Sequence, residues 1–141
     1  MPLVDPTSAF GARVEERLRT EGIAWLTTVR PDGLPQPIPV WFLWDEADEI
    51  LIYSRPDALK LRNLQTNPKA ALHFDGDGRG GNIVVISGTA RVAETTITDE
   101  RTNVYLTKYA EGIKNIGLTP EAMKATYSTA LIFTPERVTG H

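Results

Sequence analysis

IAWLTTVRPDGLPQPIPVWFLWDEADEILIY, residues 23–53, decides the fold. Residues 23–29 are rich in β-forming side chains, Arg30-Pro31-Asp32-Gly33 is turn chemistry, and residues 34–44 resume an extended apolar pattern. The acidic run Asp45-Glu46-Ala47-Asp48-Glu49 makes a second turn before Ile50-Leu51-Ile52-Tyr53. Three strands are therefore expected to run consecutively and antiparallel. Residues 69–74 and 82–92 continue the β pattern across a glycine-rich loop, and Leu131-Ile132-Phe133 with Arg137-Val138 adds one or two final strands within 129–139.

Helices flank these strands. Asp5-Pro6-Thr7 reads as the cap and first turn of a helix over 7–21, in which Phe10, Val14 and Leu18 form an apolar stripe and Gly22 ends the run. Thr98-Asp99-Glu100 and Thr119-Pro120-Glu121 open further helices in a segment 98–127. Five to seven strands in hairpin succession, with helices between them rather than strictly alternating, predict a mainly β fold with peripheral helices. The sheet should be an antiparallel barrel or strongly curved, not doubly wound.

At 141 residues the chain is expected to be a single domain, large enough to bury roughly 70% of its unfolded surface. No apolar run approaches the ~20 residues needed to span a bilayer, and the first ten residues show neither a basic nor an apolar targeting region. The absence of cysteine removes disulfides, thiolate nucleophiles and thiolate metal ligands together. A cytoplasmic protein without a membrane partner is the expectation. The net charge of −3 provides no basic face for nucleic acid, so any anion site must be local.

Such a site is suggested by residues 50–68, ILIYSRPDALKLRNLQTNP. An apolar strand ends at Tyr53, Ser54-Arg55-Pro56-Asp57 supplies turn residues and a first-turn proline, and Leu61 and Leu64 mark an amphipathic helix over 55–66 that Asn67-Pro68 stops. The unpaired N–H groups of the first helical turn, the Ser54 hydroxyl and the charges of Arg55 and Lys60 together suit a phosphate. Solvated surface charge is the plainer reading of Lys60 and Arg62, and Asp57 would repel an anion in part.

Upstream, Pro35, Pro37 and Pro39 alternate, so three N–H donors are missing from one edge of the strand. The N–H groups of Gln36, Ile38 and Val40 remain on the opposite edge, with Trp41 beside them as a large flat surface. Such a strand could hold a planar heterocycle, or its prolines could simply protect a sheet edge from aggregation.

Other motifs fail on inspection. Gly76-Asp77-Gly78-Arg79-Gly80-Gly81 matches G-x-G-x-x-G, yet a strand rather than a helix follows it. Arg79 and Ile86 occupy positions where a calcium loop needs oxygen ligands. His73 and His141 cannot form a metal site by spacing, so no metal is expected. No nucleophile elbow or carboxylate pair is visible, which suits an enzyme whose cofactor performs the chemistry and leaves catalytic side chains unassigned.

The succession of a helix, WLTTVRPDGLPQPIPVWFLWD, ILIYSRPDALKLRNLQTNPKAALHF and NIVVISGTARV, from about Val14 to Val138, resembles the pyridoxamine-phosphate-oxidase-like split-barrel family. It looks most like the branch of coenzyme F420-dependent enzymes. The resemblance implies a six- to seven-stranded antiparallel split β-barrel and a homodimer with cofactor sites at the interface. It also implies that Tyr53 and Ser54 match a strand-end phosphate pair, that Lys60 matches a phosphate lysine, that Ile38, Pro39, Val40 and Trp41 match a ring-lining strand, and that Asn82 falls where the family sets a glutamine against the ring.

Leu59 stands where the flavin oxidases of the family carry an arginine, and Arg55 is the nearby substitute. Losing one charge-assisted contact to a dianionic phosphate costs roughly 1.5–3 kcal/mol, which disfavours FMN and favours F420. The expectation is an F420-dependent reductase passing hydride to a small planar unsaturated substrate, with Trp41 and Trp44 lining the cleft and residues 105–127, with Lys108 and Lys114, closing it or meeting a second subunit. The alternatives are an FMN-dependent oxidoreductase and a non-catalytic carrier of a cofactor, haem product or lipid.

Overall fold

The computed structural model describes residues 3–45, 48–94 and 97–141. Its elements are α1 (Ala9–Thr20), β1 (Ala24–Val29), β2 (Pro35–Val40), β3 (Leu43–Trp44), β4 (Ile50–Ser54), α2 (Leu59–Thr66), β5 (Lys69–His73), β6 (Val84–Val92), α3 (Asp99–Lys108), α4 (Ala110–Asn115), α5 (Pro120–Thr126) and β7 (Thr129–Gly140). The strands form one antiparallel sheet in the order β2-β1-β5-β6-β7-β4-β3.

The two end strands of this sheet, β2 and β3, are joined by Trp41 and Phe42 alone. Three residue steps span at most about 11 Å, so the seven-stranded sheet must curl until its ends nearly meet. That curl is the split barrel. It also corrects the expectation of one continuous strand over 34–44 followed by its hairpin partner: β1–β2 and β3–β4 are both hairpins, but they sit at opposite ends of the sheet. In the second turn, Glu46 and Ala47 lie outside the described residues.

Val14, Leu18, Leu26, Phe42, Ile50, Ile52, Leu72, Ile86, Leu131 and Phe133 fill the barrel. β7 is a single 12-residue strand rather than two; it pairs with β4 through residues 129–133 and with β6 through residues 131–140. Its bend falls where Ser87 pairs with Arg137 and Gly88 with Pro135, so that Glu136 is the extra residue of a bulge. The bulge also explains how a proline is tolerated inside a paired strand.

Ser8, not Asp5 or Thr7, caps α1, through a 2.9 Å bond from the Gly11 N–H to its hydroxyl; Asp5 instead closes the turn before it. Thr98 and Thr119 cap α3 and α5 as their sequence signals suggest. Among the described residues no helix is long and apolar enough to cross a membrane. Outside the barrel wall a second cluster, Tyr105, Tyr109, Ile113 and Met123 with Trp41, Leu43, Tyr53, Leu106, Leu118 and Tyr127, docks α3–α5 against β3 and β4.

Candidate functional site

The site is built where the barrel's split meets the helical cover. β2 is an edge strand, and its register with β1 pairs Ile38 with Leu26 and Gln36 with Thr28. Because proline has no N–H, β1 must take the donors of Gln36, Ile38 and Val40. Those donors are therefore not free for a heterocycle, a correction to the expectation above. The outward edge carries the carbonyls of Pro35, Pro37 and Pro39 and no donor at all, so it offers acceptors to whatever lies against it.

Helix α2 starts at Leu59, four residues later than the 55–66 expected. The Ala58 N–H bonds the Arg55 carbonyl at 3.2 Å, so residues 55–58 close a turn before the helix can begin. Arg55 is thereby turned to solvent beside Asp57, at 3.8 Å, with 60% of its side chain exposed. Ala58 provides no side-chain cap, so the first N–H groups of α2 are left without one among the described residues. Lys60 sits in that first turn. Burial lowers its pKa below the usual lysine value, and among the described residues no carboxylate pairs with it.

Asn63, one turn on, is buried and donates to Thr28 Oγ1 at 3.0 Å and Gln36 Oε1 at 2.8 Å. It fastens α2 to the β1–β2 hairpin, and so sets the lysine's position relative to the proline strand.

A cavity of about 160 Å³ gathers Pro39, Val40, Trp41, Tyr53 and Lys60 with Tyr105, Ile116, Met123 and Tyr127. Five of the nine cofactor residues expected from sequence thus share one wall. Ile38 is exposed and does not line it. Ser54 is buried, and its hydroxyl donates to the Arg55 carbonyl at 3.0 Å. Asn82 lies elsewhere, at positive φ in the β5–β6 connection, where its carbonyl accepts a 2.8 Å bond from Arg17 Nη1 and its side-chain oxygen is buried without a partner among the described residues. Trp41 stacks on Tyr109 at 4.5 Å and 1°, so one of its faces is already covered. Trp44 packs against the barrel core under the guanidinium of Arg19, away from the cavity.

A second cavity of about 480 Å³ adjoins the first and shares Tyr53, Tyr105, Met123 and Tyr127 with it. Tyr53 Oη and Thr102 Oγ1 are 2.6 Å apart in its wall. Of the residues that the helical cover brings to these two cavities, Tyr105, Met123 and Tyr127 fall in the segment 105–127 expected to close the cleft or meet a second subunit, whereas Thr102 lies outside it and was missed by the sequence reading. Composition held one clue: the chain has four tyrosines, and all of them belong to this aromatic cluster. Burial raises the pKa of Tyr105 and Tyr109, with each other's proximity adding to the shift at Tyr105, so both are neutral phenols.

Residues 10–141 match the family model described as pyridoxamine 5'-phosphate oxidase. The chain belongs to that family. A pyridoxine/pyridoxamine 5'-phosphate oxidase of Rhodopseudomonas palustris (strain BisB5) is 32% identical over 90 residues, 64% of this chain, and the match spans only 42% of that relative's length. Among solved structures of the pyridoxamine 5'-phosphate oxidase fold, an F420 reductase superposes with a TM-score of 0.67 at 26% identity, covering 89% of this chain and 94% of that one. The FAD-binding protein of Mesorhizobium loti (TM-score 0.67, 16% identity, 90% and 88% covered) and the haem storage protein HutZ of Vibrio cholerae (0.64, 14%, 94% and 95%) share the fold alone.

Proposed function

We propose that the protein is an oxidoreductase of the pyridoxamine 5'-phosphate oxidase family that holds a flavin-type cofactor, F420 in preference to FMN, and passes hydride to a small planar unsaturated substrate. The observation that carries this reading is Lys60: a half-buried ammonium without a carboxylate partner among the described residues, at a helix start without a side-chain cap, facing the same cavity as Pro39, Val40 and Trp41. Such a donor set fits a phosphate attached to a flat ring. The acceptor carbonyls along the outer edge of β2 suit the N–H of a pyrimidine-like ring.

F420 is favoured because, among the described residues, a single half-buried cation lines the cavity. Leu59 is 58% exposed where a second cation would stand, and Arg55 is paired with Asp57. A phosphodiester, with one negative charge, is matched by one lysine better than a dianionic monoester is. The similarity to an F420 reductase supports the same choice. When bound, the cofactor supplies the hydride; the substrate is reduced by two electrons and takes its proton from solvent. The protein's part is orientation and exclusion of water.

The same reading includes a homodimer covering the site. Ile116 lines the smaller cavity, and Ile38 and Leu59 are the chain neighbours of its lining residues Pro39 and Lys60; all three are large apolar side chains more than two-fifths exposed. A second copy over this rim would bury them, and sedimentation at several concentrations tests it: a monomer throughout would remove the dimer from the proposal.

The decisive experiment is a fluorescence titration with F420 and with FMN. Wild type should bind F420 more tightly than FMN, and Lys60→Ala should weaken F420 binding roughly tenfold to a hundredfold, the loss of one charge-assisted contact of about 1.5–3 kcal/mol. Tighter FMN binding would reassign the cofactor, and an unchanged affinity in Lys60→Ala would defeat the anion site.

A further inference from the structure

The 480 Å³ cavity is larger than the one beside Lys60 and lies in the size range of small-molecule pockets, about 300–1,000 Å³. Its deeper wall is Tyr53, Thr102, Tyr105, Leu106, Met123 and Tyr127, aromatic and apolar surface suited to a flat ring. The two hydroxyls of the Tyr53–Thr102 pair hold two hydrogens, and their mutual bond uses one. The other has no acceptor among the described residues, so the pair can donate to a ligand. Among the described residues lining it, the charged side chains are the exposed Glu94, Asp99 and Lys124, so the mouth carries more negative than positive charge. Lys60 faces the other cavity and is not among the residues lining this one.

We propose that this cavity seats the hydride acceptor, and that the acceptor is a neutral planar ring compound bearing a carbonyl rather than a phosphate ester. The role as acceptor rests on the function proposed above; the binding chemistry does not. A carbonyl receives the spare hydroxyl hydrogen, the ring stacks among the tyrosines, and the net negative mouth disfavours a phosphate monoester that lacks a cation to meet it.

Menadione, a neutral ring diketone, is the probe, with binding followed by calorimetry on the full chain. Wild type should bind it. Thr102→Val keeps the side-chain volume but breaks the hydroxyl pair, and should weaken binding about threefold to tenfold. Ser128→Trp places a large ring from an exposed lining position into the cavity and should weaken it more than tenfold, with thermal melting unchanged. Pyridoxine 5'-phosphate should not displace menadione. Absence of menadione binding to the folded wild type, or full binding by Ser128→Trp, overturns the cavity assignment. Full binding by Thr102→Val overturns the carbonyl contact. Displacement by pyridoxine 5'-phosphate that is lost in Lys124→Ala overturns the exclusion of phosphate esters. Lys60→Ala separates the two proposals: it should lose cofactor affinity and keep menadione affinity, so a protein that binds menadione but neither F420 nor FMN refutes the cofactor reading, and with it the role as hydride acceptor, and leaves the binding chemistry of this cavity standing.

Discussion

Tyr109 shows how much one side chain can hold. Its hydroxyl accepts the Phe42 N–H at 2.8 Å and lies 2.8 Å from the Gly22 carbonyl and 2.9 Å from that of Phe42. A hydroxyl has one hydrogen to give, and Lys108 Nζ already donates to the Phe42 carbonyl at 2.7 Å, so the phenol serves Gly22. Tyr109→Phe would strip the buried Phe42 N–H of its acceptor, at a cost of about 1–3 kcal/mol, read as a lower urea midpoint with an unchanged slope. A midpoint equal to wild type would show that water replaces the hydroxyl. Nearby, a Cβ at Gly112 would sit 3.1 Å from the Trp41 ring. Gly112→Ala should therefore displace the indole from its stack on Tyr109 and shift Trp41 fluorescence, and with it weaken F420 binding. At this scale the sequence was legible where chemistry is local: Lys60 stands beside the strand end that frames it. Asn82 was not, because its surroundings are set by Arg17, 65 positions away on α1.

Among the elements, turns were readable and long-range order was not. Arg30-Pro31-Asp32-Gly33 closes the first hairpin as its chemistry requires, with the Gly33 N–H on the Arg30 carbonyl at 2.8 Å and Gly33 at φ 92°. The separation of β2 from β3 by the whole width of the sheet has no local signal; it follows from Trp41 facing the helical cover while Phe42 enters the barrel. The late start of α2 has a local cause, since a turn built on Pro56 can either open a helix or precede one, and the bond from Ala58 to Arg55 selects the second. The β6–β7 bulge makes a sharper test of element packing. A Cβ on Gly88 would collide with the Thr134 carbonyl and approach the Pro135 Cα at 3.1 Å. Gly88→Ala should destabilise by about 1–3 kcal/mol, whereas Gly22→Ala, with open space around its Cβ, should be near neutral. Equal urea midpoints for the two variants would mean that the bulge relaxes without cost.

For the molecule as a whole, alkaline pH reports how the helical cover is docked. Burial against Phe42 and Tyr109 lowers the Lys108 pKa to about 8 from the usual 10.5, although the charge of Glu21 pulls the other way. Between those values the unfolded chain holds the proton that the native protein has released, so stability rises with pH across that window and is lost again as pH falls through about 8. Lys60, lowered by its own burial, acts in the same direction. Tyr105 and Tyr109 oppose them: their raised pKa values keep the native phenols neutral where unfolded tyrosines ionise near 10.0, so above that point stability declines as pH rises. The urea midpoint of wild type should therefore climb from about pH 8 towards 10 and then turn over. Lys108→Met should flatten the climb and keep the decline, because the methionine retains the apolar contact over the Phe42 ring without the titrating group. A climb of equal steepness in the variant would assign it to Lys60 or another group, and the docking of α3 through Lys108 would then have no titratable signature.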